Sequence, residues 1–179
     1  MKREDIRKAE KEAEKQAKEL GDVVSCVLNE KKTVKEAMHL TDEYVENIYA
    51  QAYRLYNTGK YEEAMHLFRI LIMMNSMEPK YMMGLAASYH MIKDYTNAIQ
   101  TYVMCSVFDP NNPIPHYHTA DCFIQMKDYV SAMVSLELAI DQSGNQARYA
   151  TIKERSKLSL ERLKQQAISS LKEGECPEL

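Results

Sequence analysis

Glycine and proline are scarce in this chain, five of each among 179 residues, too little turn-forming material for a fold built from many short strands. Long apolar runs are missing as well. Val23 to Leu28, broken by a serine, and Ile70 to Met74 fall far short of the roughly 20 residues that a membrane-spanning helix needs. The opening Met1-Lys2-Arg3-Glu4-Asp5 is charged and lacks the apolar stretch of a secretory signal. A net charge of −3 gives no bulk electrostatic reason to bind nucleic acid or an anionic membrane. The four cysteines, Cys26, Cys105, Cys122 and Cys176, stand far apart with no Cys-x-x-Cys. Free thiols of a reducing compartment are therefore expected, and no structural zinc. His116 and His118 would diverge by about 200° on a helix, a poor chelate. There is no Ser/His/Asp order, no phosphate-binding glycine loop and no pocketed pair of carboxylates, so neither catalysis nor a cofactor is expected. These absences together imply a soluble cytosolic protein that is not an enzyme.

What the chain does contain is a repeat. Tyr61 and Ala64, Tyr95 and Ala98, and Tyr129 and Ala132 recur at a step of 34 residues. Phe68, Tyr102 and Leu136 keep the same step, as do Leu71, Cys105 and Ala139. A period of 34 with this pattern is the signature of the tetratricopeptide repeat, a helix pair that cannot bury its apolar face alone and must stack on its neighbours. The windows are 45–78, 79–112 and 113–146. Gly59, Lys93-Asp94 and Lys127-Asp128 fall in the turns within the repeats. Pro79 and Asp109-Pro110-Asn111-Asn112-Pro113 mark the breaks between them. Small residues on the first helices, Gly84, Ala86 and Ala120, face the alanines of the second helices where the pair comes closest. The expected fold is all-α: three tandem tetratricopeptide repeats with an N-terminal helical segment and a C-terminal capping helix.

The flanks complete the expected organisation: 1–44 an N-terminal helical segment, 45–148 the repeat domain, 149–179 a capping helix and tail. In the last of these, Tyr149, Ile152, Leu160, Leu163, Ala167 and Leu171 recur at helical spacing and would cover the exposed end of repeat three. Residues 172–179 lack periodicity. Residues 2–20 carry seven basic and six acidic side chains around a thin stripe of Ile6, Ala9, Ala13, Ala17 and Leu20. The apolar Val23 to Leu28 that follows must be covered, either by repeat one or by a second protomer. Thr33 to Met38 reads as a short helix, and Thr41-Asp42-Glu43 as the capped start of repeat one.

Binding residues are expected on the first helix of each repeat, which lines the inner side of such a stack. In repeat one the stripe is Tyr49, Tyr53 and Tyr56, with Ile48, Ala52 and Leu55 taking the core side. Stiff aromatic rings give large contact area at small entropic cost. In repeat two the stripe is Met83, Ala87 and His90, with Met91 beside it; in repeat three it is Tyr117, Asp121 and Ile124. Methionine, twelve in all, suits a groove that adapts to apolar side chains, although gap-filling in the core accounts for most of them.

The run from Thr33 to Glu36, then Ile48-Tyr49-Ala50-Gln51-Ala52-Tyr53-Arg54-Leu55-Tyr56, Gly59-Lys60-Tyr61-Glu62-Glu63-Ala64 and Met83-Gly84-Leu85-Ala86-Ala87 resembles the class II chaperones of bacterial type III secretion. His118-Thr119-Ala120-Asp121-Cys122 is similar to the matching part of that family's third repeat. The resemblance covers about residues 31–142 and leaves out the charged extension at 2–20. It implies a bacterial, cytoplasmic chaperone from a host-associated Gram-negative source. Its groove would hold an extended Pro-x-Leu-x-x-Pro-like segment of a hydrophobic translocator, with Tyr49, Tyr53 and Tyr56 forming pockets, and its N-terminal segment would support a homodimer. Two other readings stay open on the residues alone. One is an adaptor that grips a partner's C-terminal carboxylate, weakened because tyrosines stand where such clamps place lysine and asparagine; the other is a scaffold or a regulator acting through a partner.

Overall fold

Alanine sets the spacing of the helices. Ala52, Ala86 and Ala120 lie on the first helix of successive repeats and Ala64, Ala98 and Ala132 on the second, and all six are wholly removed from solvent. Within each repeat the two alanines share one core cluster. Methyl groups at a crossing let the two axes approach to the near end of the usual range, about 8 Å. A computed structural model of the chain describes residues 3–29 and 32–172, with side chains described over 11–29 and 32–169. Among these residues there is no strand. The helices are α1 (Arg3–Asn29), α2 (Val34–Ala37), α3 (Asp42–Asn57), α4 (Tyr61–Met74), α5 (Pro79–Met91), α6 (Tyr95–Phe108), α7 (Ile114–Gln125), α8 (Tyr129–Ser143) and α9 (Ala150–Lys172), with a 3-10 turn at Ala147–Tyr149 before the last.

From α3 to α9 each helix packs on the next in the chain, the nearest-neighbour stacking of a solenoid. The larger periodic residues fill the space between neighbours: Phe68, Tyr102 and Leu136 are buried, as are Leu71, Cys105 and Ala139. Cys122 is buried too, and burial raises the thiols of Cys105 and Cys122 to about 11 and about 12. Cys26 is half-buried and Cys176 lies outside the described residues. Gly84 marks the tightest seam. A Cβ there would come within 2.3 Å of the Phe68 ring, so α4 and α5 meet only because the side chain is missing.

The turns inside the repeats share one geometry. Gly59, Lys93 and Lys127, 34 residues apart, all have positive φ, at 80°, 65° and 64°. The next residue closes the helix end by donating its backbone N–H five residues back: Lys60 to Leu55, Asp94 to Tyr89 and Asp128 to Phe123, each at 2.9 Å. This is the left-handed C-terminal cap that glycine fills without penalty and lysine does not. In the last two turns the aspartate then opens the following helix, its carboxylate accepting from the N–H of Asn97 or Ser131. Thr33 and Thr41 cap α2 and α3 in the expected way, and Glu36 bonds back to the Thr33 N–H.

The flanks differ in how well they are held. α9 packs on α8 and α7, one repeat length after α7 and with the same partner relation that α7 has to α6. Tyr149 and Leu163 are buried, and Ile152, Leu160 and Ala167 half-buried. Ser156 is also buried in the stripe, with no partner for its hydroxyl among the described residues; its polarity hides it from a pattern search. The Leu171 side chain and residues 173–179 lie outside the described residues. α1 is a single long helix, exposed throughout from Lys11 to Leu20. The apolar patch beyond it is divided. Val23, Cys26 and Val27 are half-buried, with Val27 lining a cleft shared with Val34, Met73 and Met74. Leu20, Val24 and Leu28 form a stripe left in solvent.

Two outcomes test this packing. Gly84→Ala should lower the urea-unfolding free energy by about 1–3 kcal/mol, overpacking a buried ring and outweighing alanine's better helix propensity; a more stable variant would show that the Phe68 ring has room to turn. Lys93→Gly and Lys127→Gly should each raise stability by about 1 kcal/mol, the cost of a left-handed non-glycine residue, measurable as a higher melting midpoint.

Candidate functional site

The first helices α3, α5 and α7 follow one another at the 34-residue step, so equivalent positions on them form a grid along the inner side of the stack. Its rows are Glu46, Lys80 and Ile114; Tyr49, Met83 and Tyr117; Tyr53, Ala87 and Asp121; and Tyr56, His90 and Ile124. Two polar bridges tie neighbouring helices across it. Lys80 Nζ donates to Glu46 Oε1 at 2.6 Å, and His90 Nε2 donates to Asp121 Oδ2 at 3.1 Å.

At the α3 end the aromatic wall is partly core. Tyr53 is 55% exposed and stacks on Tyr49, ring centres 6.4 Å apart. Tyr49 itself meets the edge of Phe68 at 6.2 Å and the Tyr81 ring at 5.7 Å, with the Lys80 ammonium 4.8 Å above its face. Tyr56 sits edge-on to Tyr61 at 5.3 Å, and burial raises its hydroxyl pKa. The sequence pattern alone puts all three tyrosines in solvent and Ile48, Ala52 and Leu55 in the core. That division needs correcting: Tyr49, Tyr56, Ile48 and Leu55 are all half-buried, and the buried pair is Val45 and Ala52. The Tyr49 ring roots between Phe68 of α4 and Tyr81 of α5, and the Tyr56 ring packs on Tyr61 of α4.

Ala87 occupies the centre of the grid and is half-buried. Its methyl is the smallest side chain of the grid, set between Tyr53 and Asp121 in its own row and between Met83 and His90 on its own helix. Met83 packs on the second core cluster and Tyr117 on the third, both half-buried. At the α7 end His90 is boxed by Tyr95, Tyr102 and His118, with ring centres 5.8, 6.4 and 6.3 Å away. His118 lies flat on Tyr102 at 5.4 Å and takes the Tyr117 edge at 5.5 Å. Burial, aided by the neighbouring His90, lowers the His118 pKa. Burial drives the Tyr102 hydroxyl far above its ordinary range. The bond from His90 holds Asp121 below the usual carboxylate range. Sequence reasoning missed Glu46, Lys80 and Ile114, one helical turn before the stripe; extending the 34-residue register by that turn would have found them. It judged His118 a poor metal ligand without finding its role: the ring is an aromatic spacer between α6 and α7.

The model of the tetratricopeptide repeat matches residues 45–75 and 79–112. The chaperone protein SicA of Salmonella typhimurium is 27% identical over 128 residues, 72% of this chain and 78% of SicA. Two solved structures superpose closely. The Yersinia enterocolitica type III secretion chaperone SycD, in complex with a peptide of the translocator YopD, is 27% identical with a TM-score of 0.68, covering 70% of this chain and 96% of SycD. PcrH, in complex with the chaperone binding region of PopD, is 26% identical with a TM-score of 0.68, over 71% of this chain and 96% of PcrH. In sequence and fold the chain is similar to the translocator chaperones of type III secretion. SycD is also known in an alternative dimer. In this chain, no helix among the described residues is long and apolar enough to cross a membrane.

The histidine pKa values make stability depend on pH. His118 resists protonation when folded, whereas the unfolded chain takes up a proton near 6.5. Stability present above that value is therefore lost as pH falls through it. His116, lowered by burial, acts in the same direction; the stability that the lowered Asp121 contributes is present throughout the histidine range and is lost only as pH falls below about 3.8. The melting midpoint should be lower at about pH 5.5 than at neutral pH, within the range over which histidine titrates. His118→Asn should flatten that dependence, and an unchanged slope in circular-dichroism melts would place the effect elsewhere.

Proposed function

We propose that this chain is a bacterial cytoplasmic chaperone that captures an extended segment of a hydrophobic translocator in the groove formed by α3, α5 and α7. The observation that carries this reading is the small, half-buried Ala87 of the grid, flanked in the repeat register by the exposed Tyr53 and by Met83. An extended segment places alternate side chains on one side, and proline or leucine side chains of a Pro-x-Leu-x-x-Pro-like sequence suit apolar pockets between rings. Tyr49, Tyr56, His90, Tyr117 and Asp121 complete the proposed contact surface. The complexes of SycD with a YopD peptide and of PcrH with the binding region of PopD support the same mode here. Capture involves no bond-making: covering the segment keeps its apolar residues from inserting or associating early, and transfer onward takes its energy from the secretion machinery.

A clamp for a C-terminal carboxylate is disfavoured, because Lys80 of the grid already pairs with Glu46. Self-association belongs to the proposal as well. Leu20, Val24 and Leu28 are 65%, 47% and 73% exposed on one stripe of α1, outside the repeats, and suit a protomer contact within segment 1–44. The segment 149–179 is assigned the role of cap.

Tyr53→Ala tests the groove. Calorimetric titration with a synthetic Pro-x-Leu-x-x-Pro peptide should show an affinity loss of about 1–2 kcal/mol, the scale of an interface hot spot. Melting should hardly move, since the ring is mostly in solvent. Undiminished affinity would remove Tyr53 from the site. Tyr49→Ala, by contrast, should lower both affinity and melting, because that ring also packs on Phe68 and Tyr81.

A further inference from the structure

The grid carries two carboxylates, and they are in different states. Glu46 is met by the Lys80 ammonium at 2.6 Å. Asp121 is met only by an imidazole nitrogen, His90 Nε2 at 3.1 Å on Oδ2. No lysine or arginine among the described residues pairs with it, and none of them donates to Oδ1. The side chain is 48% exposed on the groove side of α7, and the His90 that orients it is only 17% exposed. The surroundings are aromatic and apolar: Tyr117 and Ile124 occupy the neighbouring rows of α7, and Ala87 the same row of α5.

An open groove leaves Oδ1 to water. A segment laid across it removes that water, and a buried carboxylate without a compensating partner is costly. The bond from His90 also keeps the group ionised, so the charge is present when the segment arrives. A backbone N–H could offer one hydrogen bond, but a cationic donor forms the stronger charge-assisted one in a medium of reduced dielectric. With Oδ2 already engaged, a single donor on Oδ1 completes the set.

We infer that Asp121 selects the captured segment by charge, docking a lysine or arginine side chain whose position is fixed relative to the apolar anchor seated at Tyr53. This deepens the proposed capture function and rests on it. The separation follows from the stack. From α3 to α7 is two steps between neighbouring helices, about 8–10 Å each, and an extended chain advances about 3.3 Å per residue. The base should stand about five or six residues from the anchor. The arrangement would reject a uniformly apolar segment of equal length, so the groove discriminates among hydrophobic chains that its tyrosines alone would not tell apart.

The test uses the full-length protein and labelled synthetic peptides with an Ala-Pro-Ala-Leu-Ala-Ala-Pro core. Each peptide carries one lysine, or norleucine in its place, walked along a serine and alanine extension on either side. At one spacing the lysine peptide should bind the wild type about tenfold more tightly than its norleucine twin, the scale of one charge-assisted bond. That ratio should collapse towards one in Asp121→Asn and shrink in the wild type as salt is raised. A ratio that survives in Asp121→Asn, or that is absent at every spacing while the peptides bind, overturns the assignment. Should the variant prove unstable, the wild-type salt series decides alone: a ratio that salt leaves unchanged overturns the assignment equally. If neither twin binds the wild type at any spacing, the groove reading itself fails and the inference falls with it.

Discussion

Everything in the repeat stack depends on how closely paired helices can approach, and six alanines set that distance. Ala52, Ala86 and Ala120 meet the layer of Ala64, Ala98 and Ala132 with no solvent between them. A larger side chain at any of these points would push two axes apart, and because each helix also packs on the next in the chain, the displacement would pass along the stack. The seam at Gly84 is the extreme case, where even a methyl group meets the Phe68 ring.

The groove is a by-product of the same constraint. Once α3, α5 and α7 are held at one spacing and phase, the residues a turn away from the alanines are presented as ordered rows, and chemistry can vary along a row without disturbing the core. The row of Tyr53, Ala87 and Asp121 passes from aromatic to small to charged within one surface. The core beneath it changes far less, from Phe68 to Tyr102 to Leu136.

The fold was legible because its information is periodic: every repeat register read from the chain corresponds to a buried or half-buried position. The turns were legible by position but not by conformation, since nothing in Lys93 or Lys127 announces a left-handed backbone; only their alignment with Gly59 does. The α3 tyrosines were legible as a stripe, yet the split between Tyr53 outside and Tyr49 and Tyr56 half inside depends on the neighbouring helix, which no single-helix pattern contains. The buried Ser156 and the stacking role of His118 were not legible for a related reason: polar residue types give no signal of burial until the partner ring or helix is in place. The division of Val23 to Leu28 between a cleft and open solvent was invisible for lack of any repeat to set its phase.

The position of α3 in the order of packing has one more effect. Interior helices of the ladder are gripped from both sides, whereas α3 is the first rung, packed on α4 and touching α5. Releasing a terminal rung breaks one interface, and releasing an interior one breaks two, so excursions of α3 cost less than those of α5 or α7. That rung carries Tyr49, Tyr53 and Tyr56. The groove should therefore yield first at its aromatic end, because α7 at its charged end is held between α6 and α8.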